Sequence, residues 1–222
     1  MSGLIFPNET TGYREARDEL LEAEIALRAE VERVAAMRRA LPLGGLVKED
    51  YTFEEISGEG KIRTVKLSEL FEEPKTSLFV YSWMFGPAMA NPCPMCSSII
   101  DGLNGNARHI AQRLNLVVVA RSPIERITAF AKDRGWGSVR LLSSGKNRYN
   151  TDYFGEPATG DQNPMANVFV RRNGSIHHSW GTELLYAQLD GDPRHMDLMW
   201  PLWNVLDTTP EGRGDWYPPL RV

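Results

Sequence analysis

Helical periodicity dominates the first forty residues of the chain. Glutamate and arginine fill most positions there, and apolar residues recur at heptad spacing: Leu20, Leu27, Val34 and Leu41. This pattern predicts one amphipathic helix over residues 13–39. Thr10 or Thr11 can cap its start, and Pro42 with the two glycines that follow ends it. Because the helix carries no residue typical of catalysis, we expect it to pack on its own domain or on a partner subunit.

The hydrophobic period changes after residue 50. Two short apolar stretches flank the turn cluster at residues 57–60 and predict a hairpin. A short helix is expected over residues 67–71. Residues 77–85 form an apolar, aromatic run bounded by proline and glycine, which predicts a buried central strand.

Strands and helices alternate along the rest of the chain. We predict a helix over 99–114, a buried strand over 116–120, a helix from Pro123 to about Arg134 and a strand over 139–142. A polar loop over 143–163, a hairpin turning at Asn173-Gly174, a last helix over 196–206 and a surface tail from 208 should follow. This alternation predicts a mixed sheet covered by helices on both faces.

Composition and charge exclude several classes of function. The 222 residues are 42% hydrophobic, which is enough for one domain with an appendage or for two small domains. A net charge of -4 gives no electrostatic reason to bind nucleic acid. The sequence contains no apolar run of ~18 residues for a membrane span. No secretory signal is visible, so we expect a cytoplasmic protein.

The chemistry of the chain is expected at Cys93-Pro94-Met95-Cys96, which contains both of its cysteines. The motif lies after a predicted buried strand and before a predicted helix, whose free N–H groups and dipole would stabilise a thiolate. Cys93 would then be the low-pKa nucleophile and Cys96 the resolving thiol. Pro94 suits the first helical turn, and Met95 would help to set the redox potential.

Three other interpretations of the two cysteines stay open. They could belong to a zinc site completed by histidines, although of the three candidates, His109, His177 and His178, only His109 has a typical spacing. They could pack as an inert apolar pair, or switch a partner as a redox sensor without turnover. We find no dinucleotide fingerprint or Walker A motif. We therefore expect no cofactor, and electrons should come from a separate protein or small thiol.

From Tyr51 to Cys96 the chain resembles the thioredoxin-like superfamily, especially its peroxiredoxin and membrane-tethered reductase branches. The shared order is a hairpin, a short helix, an aromatic strand and a CPxC motif. Residues 39–42, 50–53 and 206–214 are also similar to a bacterial family of uncharacterised, predicted dithiol–disulfide oxidoreductases. The resemblance implies a thioredoxin-like, peroxiredoxin-type α/β fold with a central mixed sheet and flanking helices.

We expect three parts along the chain and a set of separate redox partners. The N-terminal helical extension would cover residues 1–45, the thioredoxin-like domain 46–207 and the C-terminal tail 208–222. The substrate would be a protein disulfide or a small thiol, with a separate electron donor. A homodimer could form through the N-terminal helix.

The chain also departs from the superfamily pattern. Pro92 stands where thioredoxins place tryptophan, and residues 85–92 form an inserted loop. No carboxylate lies between Leu78 and Phe85, so the proton acceptor of Cys96 is unassigned. The cis-proline of the superfamily maps best to Pro164. Neither cysteine follows the Pro, Thr or Ser, Cys pattern of peroxidases, which favours dithiol exchange. We therefore expect Cys93 and Cys96 to be supported by Pro92, Pro94, Met95 and Pro164.

Overall fold

A computed structural model describes residues 3–187, 199–206, 208–209 and 217–220 of the chain. The chain divides into two compact units, Met1–Pro42 and Leu43–Val222. The predicted three-part division stays a prediction. Among the described residues, no helix is long and apolar enough to cross a membrane.

The first unit contains one long helix, α1 (Thr11–Arg39). Its start is capped by Thr10, whose Oγ1 accepts a hydrogen bond of 3.2 Å from the Tyr13 N–H group. No residue of α1 is buried, and ion pairs such as Arg14–Asp18 join successive turns. The predicted N-terminal helix is therefore confirmed, with its start two residues earlier than expected.

The second unit alternates strands and helices as the sequence predicts. Two 3₁₀ turns, Leu67–Leu70 and Glu183–Tyr186, accompany its main elements, which are, in chain order, β1 (Thr52–Ile56), β2 (Ile62–Lys66), β3 (Ser77–Ser82), α2 (Pro94–Ile110), β4 (Asn115–Ala120), α3 (Ile124–Arg134), β5 (Arg140–Ser143), α4 (Tyr149–Asp152), β6 (Met165–Arg172), β7 (Ser175–Gly181) and α5 (Pro201–Leu206).

All seven strands join one mixed sheet in the order β2-β1-β5-β4-β3-β6-β7. The three central strands β3, β4 and β5 are parallel, because α2 and α3 carry the chain back between them. The flanking pairs, β1 with β5 and β3 with β6, are antiparallel. This arrangement confirms the predicted α/β fold with a central mixed sheet flanked by helices.

Side chains of β3 alternate between two hydrophobic cores. Leu78 and Val80 face the core shared with the β1–β2 hairpin and α4. Tyr81 faces the opposite core, which α2, α3 and α5 cover. Because successive side chains of a strand point to opposite faces of the sheet, the Tyr81 ring lies on the side of the helix that begins at the cysteines.

Three local features differ from the sequence prediction or refine it. Helix α4 interrupts the predicted loop 143–163, and the Asn147 side chain starts it by accepting a hydrogen bond of 2.9 Å from the Tyr149 N–H group. Pro201 begins α5 instead of interrupting it, as suits a residue with no N–H to donate. Residues 196–198 of the predicted last helix lie outside the described residues. The predicted Asn173-Gly174 turn is confirmed, with φ of 51° and 79°.

Candidate active site

Cys93 is the N-cap residue of α2, and Pro94 is the first residue of that helix. The Cys93 N–H group donates a hydrogen bond of 3.0 Å to the Met84 carbonyl, just beyond the end of β3. The Cys93 carbonyl accepts from both the backbone N–H and the hydroxyl of Ser97, at 3.0 and 2.9 Å. The backbone on both sides of the nucleophile is thus fixed by hydrogen bonds.

Arg126 of α3 supports the loop that leads to Cys93. Its guanidinium group donates hydrogen bonds to the carbonyls of Gly86, Met89 and Ala90. The same group lies 4.3 Å from the ring centroid of Phe85. One arginine therefore satisfies several carbonyl groups that have no partner in a strand or helix.

Cys93 and Cys96 are free thiols with different surroundings. The Cys96 N–H group points at the Cys93 sulfur from 3.5 Å. The pKa of Cys93 is lowered to about 6, mainly by a hydrogen bond from the Cys96 thiol. Burial acts in the opposite direction. The N–H groups of Cys96 and Met95 and the Tyr217 hydroxyl lower this pKa further. Cys93 is therefore largely a thiolate at neutral pH.

Cys96 has the opposite electrostatic environment. It is only 2% exposed, and burial raises its pKa well above that of an ordinary thiol, with the hydrogen bond to Cys93 adding to the rise. The Tyr81 hydroxyl acts in the other direction and lowers this pKa. At neutral pH the pair thus holds one accessible thiolate and one buried, protonated thiol.

A cavity of about 290 Å³ opens beside the two sulfur atoms. Apart from the Cys93 thiolate, none of its described lining residues is charged, and only two carry a hydroxyl group. They come from β3, the loop after it, α2, the chain around Pro164, the 3₁₀ turn Glu183–Tyr186 and the C-terminal tail: Tyr81, Met84, Cys93, Met95, Cys96, Ile99, Pro164, Leu185 and Tyr217. The arrangement can take an apolar group next to a reactive thiolate.

A family model described as bacterial protein of unknown function (DUF899) matches residues 6–219. The chain belongs to this family. No curated protein matches it significantly.

Several solved structures are similar to the chain at low identity. Thioredoxin peroxidase I of Plasmodium yoelii is 14% identical, with 80% of this chain and 100% of that one covered and a TM-score of 0.47. AhpC of Enterococcus faecalis is 11% identical, with 80% and 98% covered and a TM-score of 0.47. An exposed lipoprotein thioredoxin of Streptococcus pneumoniae is 10% identical, with 68% and 98% covered and a TM-score of 0.42.

The predicted supporting residues take different places around the cysteines. Pro94 begins α2, and Met95 and Pro164 line the cavity. Pro92 is buried and is not among the residues that line it. In the described part of the chain the one cis peptide bond precedes Pro74. The cis geometry implied for Pro164 is therefore wrong, and its peptide bond has the trans form that most X–Pro bonds adopt.

His177 and His178 do not join the cysteines. His177 Nδ1 hydrogen-bonds to the Gly44 carbonyl at 3.1 Å, and His178 Nε2 to Asn167 Oδ1 at 2.8 Å. His178 lines a separate cavity of about 960 Å³. Over the described ranges, no group of three His, Cys, Asp or Glu side chains could hold a metal ion.

Sequence reasoning missed the contribution of two tyrosines to the cavity. Tyr217 lies in the tail that was expected only to cover the surface, yet its hydroxyl is 4.0 Å from the Cys93 sulfur. Tyr81 was predicted as a core residue, which it is, but it also lines the cavity next to Cys96. Strand alternation could have placed Tyr81 on the α2 face, whereas no local signal connects Tyr217 with Cys93.

Proposed function

We propose that this protein is a thiol–disulfide oxidoreductase that uses Cys93 and Cys96 as a dithiol–disulfide couple. The main support for the proposal is that the two thiols differ in burial and in pKa. Cys93 caps a helix, is half-buried and has a pKa of about 6. Cys96 lies one turn further on, is buried and keeps its proton. A nucleophile and a resolving thiol require this difference.

The reaction proceeds in two exchange steps. The Cys93 thiolate attacks one sulfur of a substrate disulfide, which releases one substrate thiolate and leaves a mixed disulfide on Cys93. Cys96 then attacks the Cys93 sulfur and forms the Cys93–Cys96 disulfide, and its proton ends on the second departing thiolate. Two electrons pass from the dithiol to the substrate. A separate dithiol donor must reduce the pair again.

The cavity supports a substrate whose disulfide is flanked by apolar groups. Its described lining includes the side chains of Met84, Ile99 and Leu185 and, apart from the Cys93 thiolate, no charged side chain. A cysteine of a protein substrate with apolar neighbours, or a small uncharged disulfide, would fit this surface better than a highly charged one.

The test is alkylation of Cys93 across a pH series, together with an insulin-reduction assay. We expect the alkylation rate to rise through about pH 6, the pKa of Cys93, and turnover to be lost in Cys93→Ser. A Cys93 that titrates like a free thiol, at about 8.5, and an absence of turnover would refute the proposal. Rapid alkylation without turnover would instead favour the redox-sensor alternative.

The physiological substrate can be captured with Cys96→Ser. This variant keeps the nucleophile and lacks the resolving thiol, so a mixed disulfide with Cys93 should persist. Cys93→Ser is the matched control, because it keeps one thiol but lacks the reactive one. A disulfide-linked partner found with Cys96→Ser and absent from the control would identify the substrate.

We also propose that α1 mediates association of two copies of the chain. Leu20 and Leu27 of its heptad stripe are 52% and 62% exposed. Residues 11–25 carry five acidic and two basic side chains, whereas residues 26–39 carry two acidic and four basic ones. An antiparallel pair of α1 helices would cover the stripe and bring each acidic half against a basic half.

A further inference from the structure

The resolving step requires Cys96 to lose its proton in a place that opposes ionisation. Burial is the dominant influence on this thiol and favours its neutral form. A buried thiolate forms readily only where a hydrogen-bond donor or a positive charge stabilises it. Among the described residues that line the cavity there is no lysine, arginine or histidine.

Tyr81 is the residue on β3 whose hydroxyl meets this need. Its side chain is completely buried, and it belongs to the core between the sheet and α2 that also contains Cys96. Both residues line the same cavity. The pKa of Tyr81 is well above its ordinary value. Burial is the largest cause of this rise, and the neighbouring Cys96 thiol is the next largest. The hydroxyl therefore stays protonated and can donate.

The Tyr81 hydroxyl has no competing partner in the described part of the chain. It makes no hydrogen bond of ordinary geometry there. Several described residues have a buried side-chain oxygen or nitrogen without a partner, and among these Tyr81 is the one that lines the cavity beside the cysteines. An unpartnered buried hydroxyl reduces stability unless it acquires a partner at some stage. The sulfur of Cys96 lines the same cavity and influences this hydroxyl, and it becomes a strong acceptor when it ionises.

From this geometry we propose that Tyr81 is a catalytic residue that donates a hydrogen bond to the Cys96 thiolate during resolution of the mixed disulfide. The inference rests on the proposed function and assigns the group that stabilises the resolving thiol. Tyr81 keeps its proton throughout the step. The proton of Cys96 leaves with the departing substrate thiolate, while the electron pair of Cys96 forms the new bond to Cys93.

The two tyrosines of the cavity serve different sulfurs in this scheme. The Tyr217 hydroxyl faces Cys93, and its distance of 4.0 Å places it beside the attacking atom. Tyr81 acts on Cys96. Loss of the two hydroxyls should therefore affect two different steps, which gives the experiment an internal control.

The experiment follows a single turnover with the uncharged chromogenic disulfide dithiodipyridine. Attack by Cys93 releases the first absorbing thiopyridone and resolution by Cys96 releases the second, so the two steps appear as two phases. In Tyr81→Phe we expect an unchanged first phase and a second phase about 10- to 100-fold slower, the range for a lost hydrogen bond to a charged group. The pH profile of the second phase should also shift to higher pH. Tyr217→Phe should slow the first phase instead.

The outcomes separate this inference from the proposed function. If the wild type shows two phases and Tyr81→Phe leaves the rate and pH profile of the second unchanged, the role of Tyr81 is refuted and the oxidoreductase proposal stands. If Cys93 of the wild type reacts like an ordinary thiol, the proposed function fails. Tyr81→Met provides the same comparison if the phenylalanine variant is unstable, because methionine adapts to irregular cavities.

A second measurement isolates the resolving thiol. In a Cys93→Ser background only Cys96 can ionise as a thiol, so its titration can be followed by alkylation at increasing pH. Adding Tyr81→Phe should move this titration to higher pH. Coincident titrations with and without Tyr81→Phe would contradict the proposed hydrogen bond.

Discussion

The hydroxyl group of Tyr217 lies 4.0 Å from the Sγ atom of Cys93, although the two residues are 124 positions apart in the chain. Burial raises the pKa of Tyr217 to about 12, and the neighbouring Cys93 adds to the rise. The phenol therefore stays protonated at every pH at which Cys93 ionises. It can donate to the thiolate but cannot act as a base.

Replacing Tyr217 with phenylalanine should raise the pKa of Cys93 above about 6, because one of the groups that lower it is lost. The alkylation rate of Cys93 near pH 6 should fall several-fold, while the rate above pH 9 should not change. Tyr186→Phe is the matched control, since the Tyr186 hydroxyl donates to the Pro164 carbonyl at 2.8 Å and its ring lines the larger cavity. Equal shifts in both variants would contradict a direct effect of Tyr217.

The stability of the reduced protein should increase with pH in the range where Cys93 is ionised only in the folded state. The folded pKa of about 6 is below the unfolded value of about 8.5, so the unfolded state binds more protons between these limits. The free energy of unfolding therefore rises with pH across this window. The stabilisation that the Cys93 thiolate contributes is lost as pH falls through about 6. The raised pKa of Cys96 acts only above the ordinary thiol range.

Denaturant unfolding of the reduced wild type and of Cys93→Ser, each from about pH 5 to about pH 8, measures this effect. The difference in unfolding free energy between the two should grow with pH in favour of the wild type. A difference that stays constant over the series would mean that the Cys93 pKa is the same in the folded and unfolded states.

Periodicity was sufficient to predict most of the fold, because the elements that form the sheet are strongly apolar. The runs around Val80 and Val118 read as buried strands and pair with each other at the centre of the sheet. Helix α4 was not predicted, because a single helical turn started by the Asn147 side chain is too short to show hydrophobic periodicity. Pro164 was placed near the cysteines from the family pattern, but its peptide geometry depends on tertiary contacts.

The candidate site could be predicted only as far as its local part. Cys93, Pro94 and Cys96 form one helical start, and their spacing carries the chemistry directly. Tyr81 and Tyr217 reach the same cavity from a strand and from the C-terminal tail. Strand alternation could have placed Tyr81 on the α2 face, but the contact of Tyr217 depends on how distant segments pack, and no spacing in a single sequence reveals it.

Association through α1 predicts that the wild type is a dimer in analytical ultracentrifugation. Leu20→Asp with Leu27→Asp should give a monomer, because charges on the heptad stripe oppose its burial. Ile25→Asp is the matched control, since Ile25 is 58% exposed and lies about 160° around the helix from Leu27. A monomeric wild type, or equal dissociation in both variants, would refute the proposal.

Arg126 should control the reactivity of Cys93 through the loop before it. Arg126→Met keeps the length of the side chain and removes the donors to the Gly86, Met89 and Ala90 carbonyls. The Gly86 carbonyl would keep the Met89 N–H group and the Ser122 hydroxyl as donors, whereas the Met89 and Ala90 carbonyls would lose the bonds from Arg126. We therefore expect a loss of about 1–3 kcal/mol of unfolding free energy and slower alkylation of Cys93 at pH 7.

Arg121→Met is the control for this prediction. Arg121 donates in the same way to the carbonyls of Ser144, Gly145 and Asn147, in a loop without a cysteine. Its replacement should reduce stability by a similar amount and leave the alkylation rate of Cys93 unchanged. If both arginine variants slow alkylation equally, the effect belongs to general destabilisation, and the loop from Phe85 to Pro92 does not position the nucleophile.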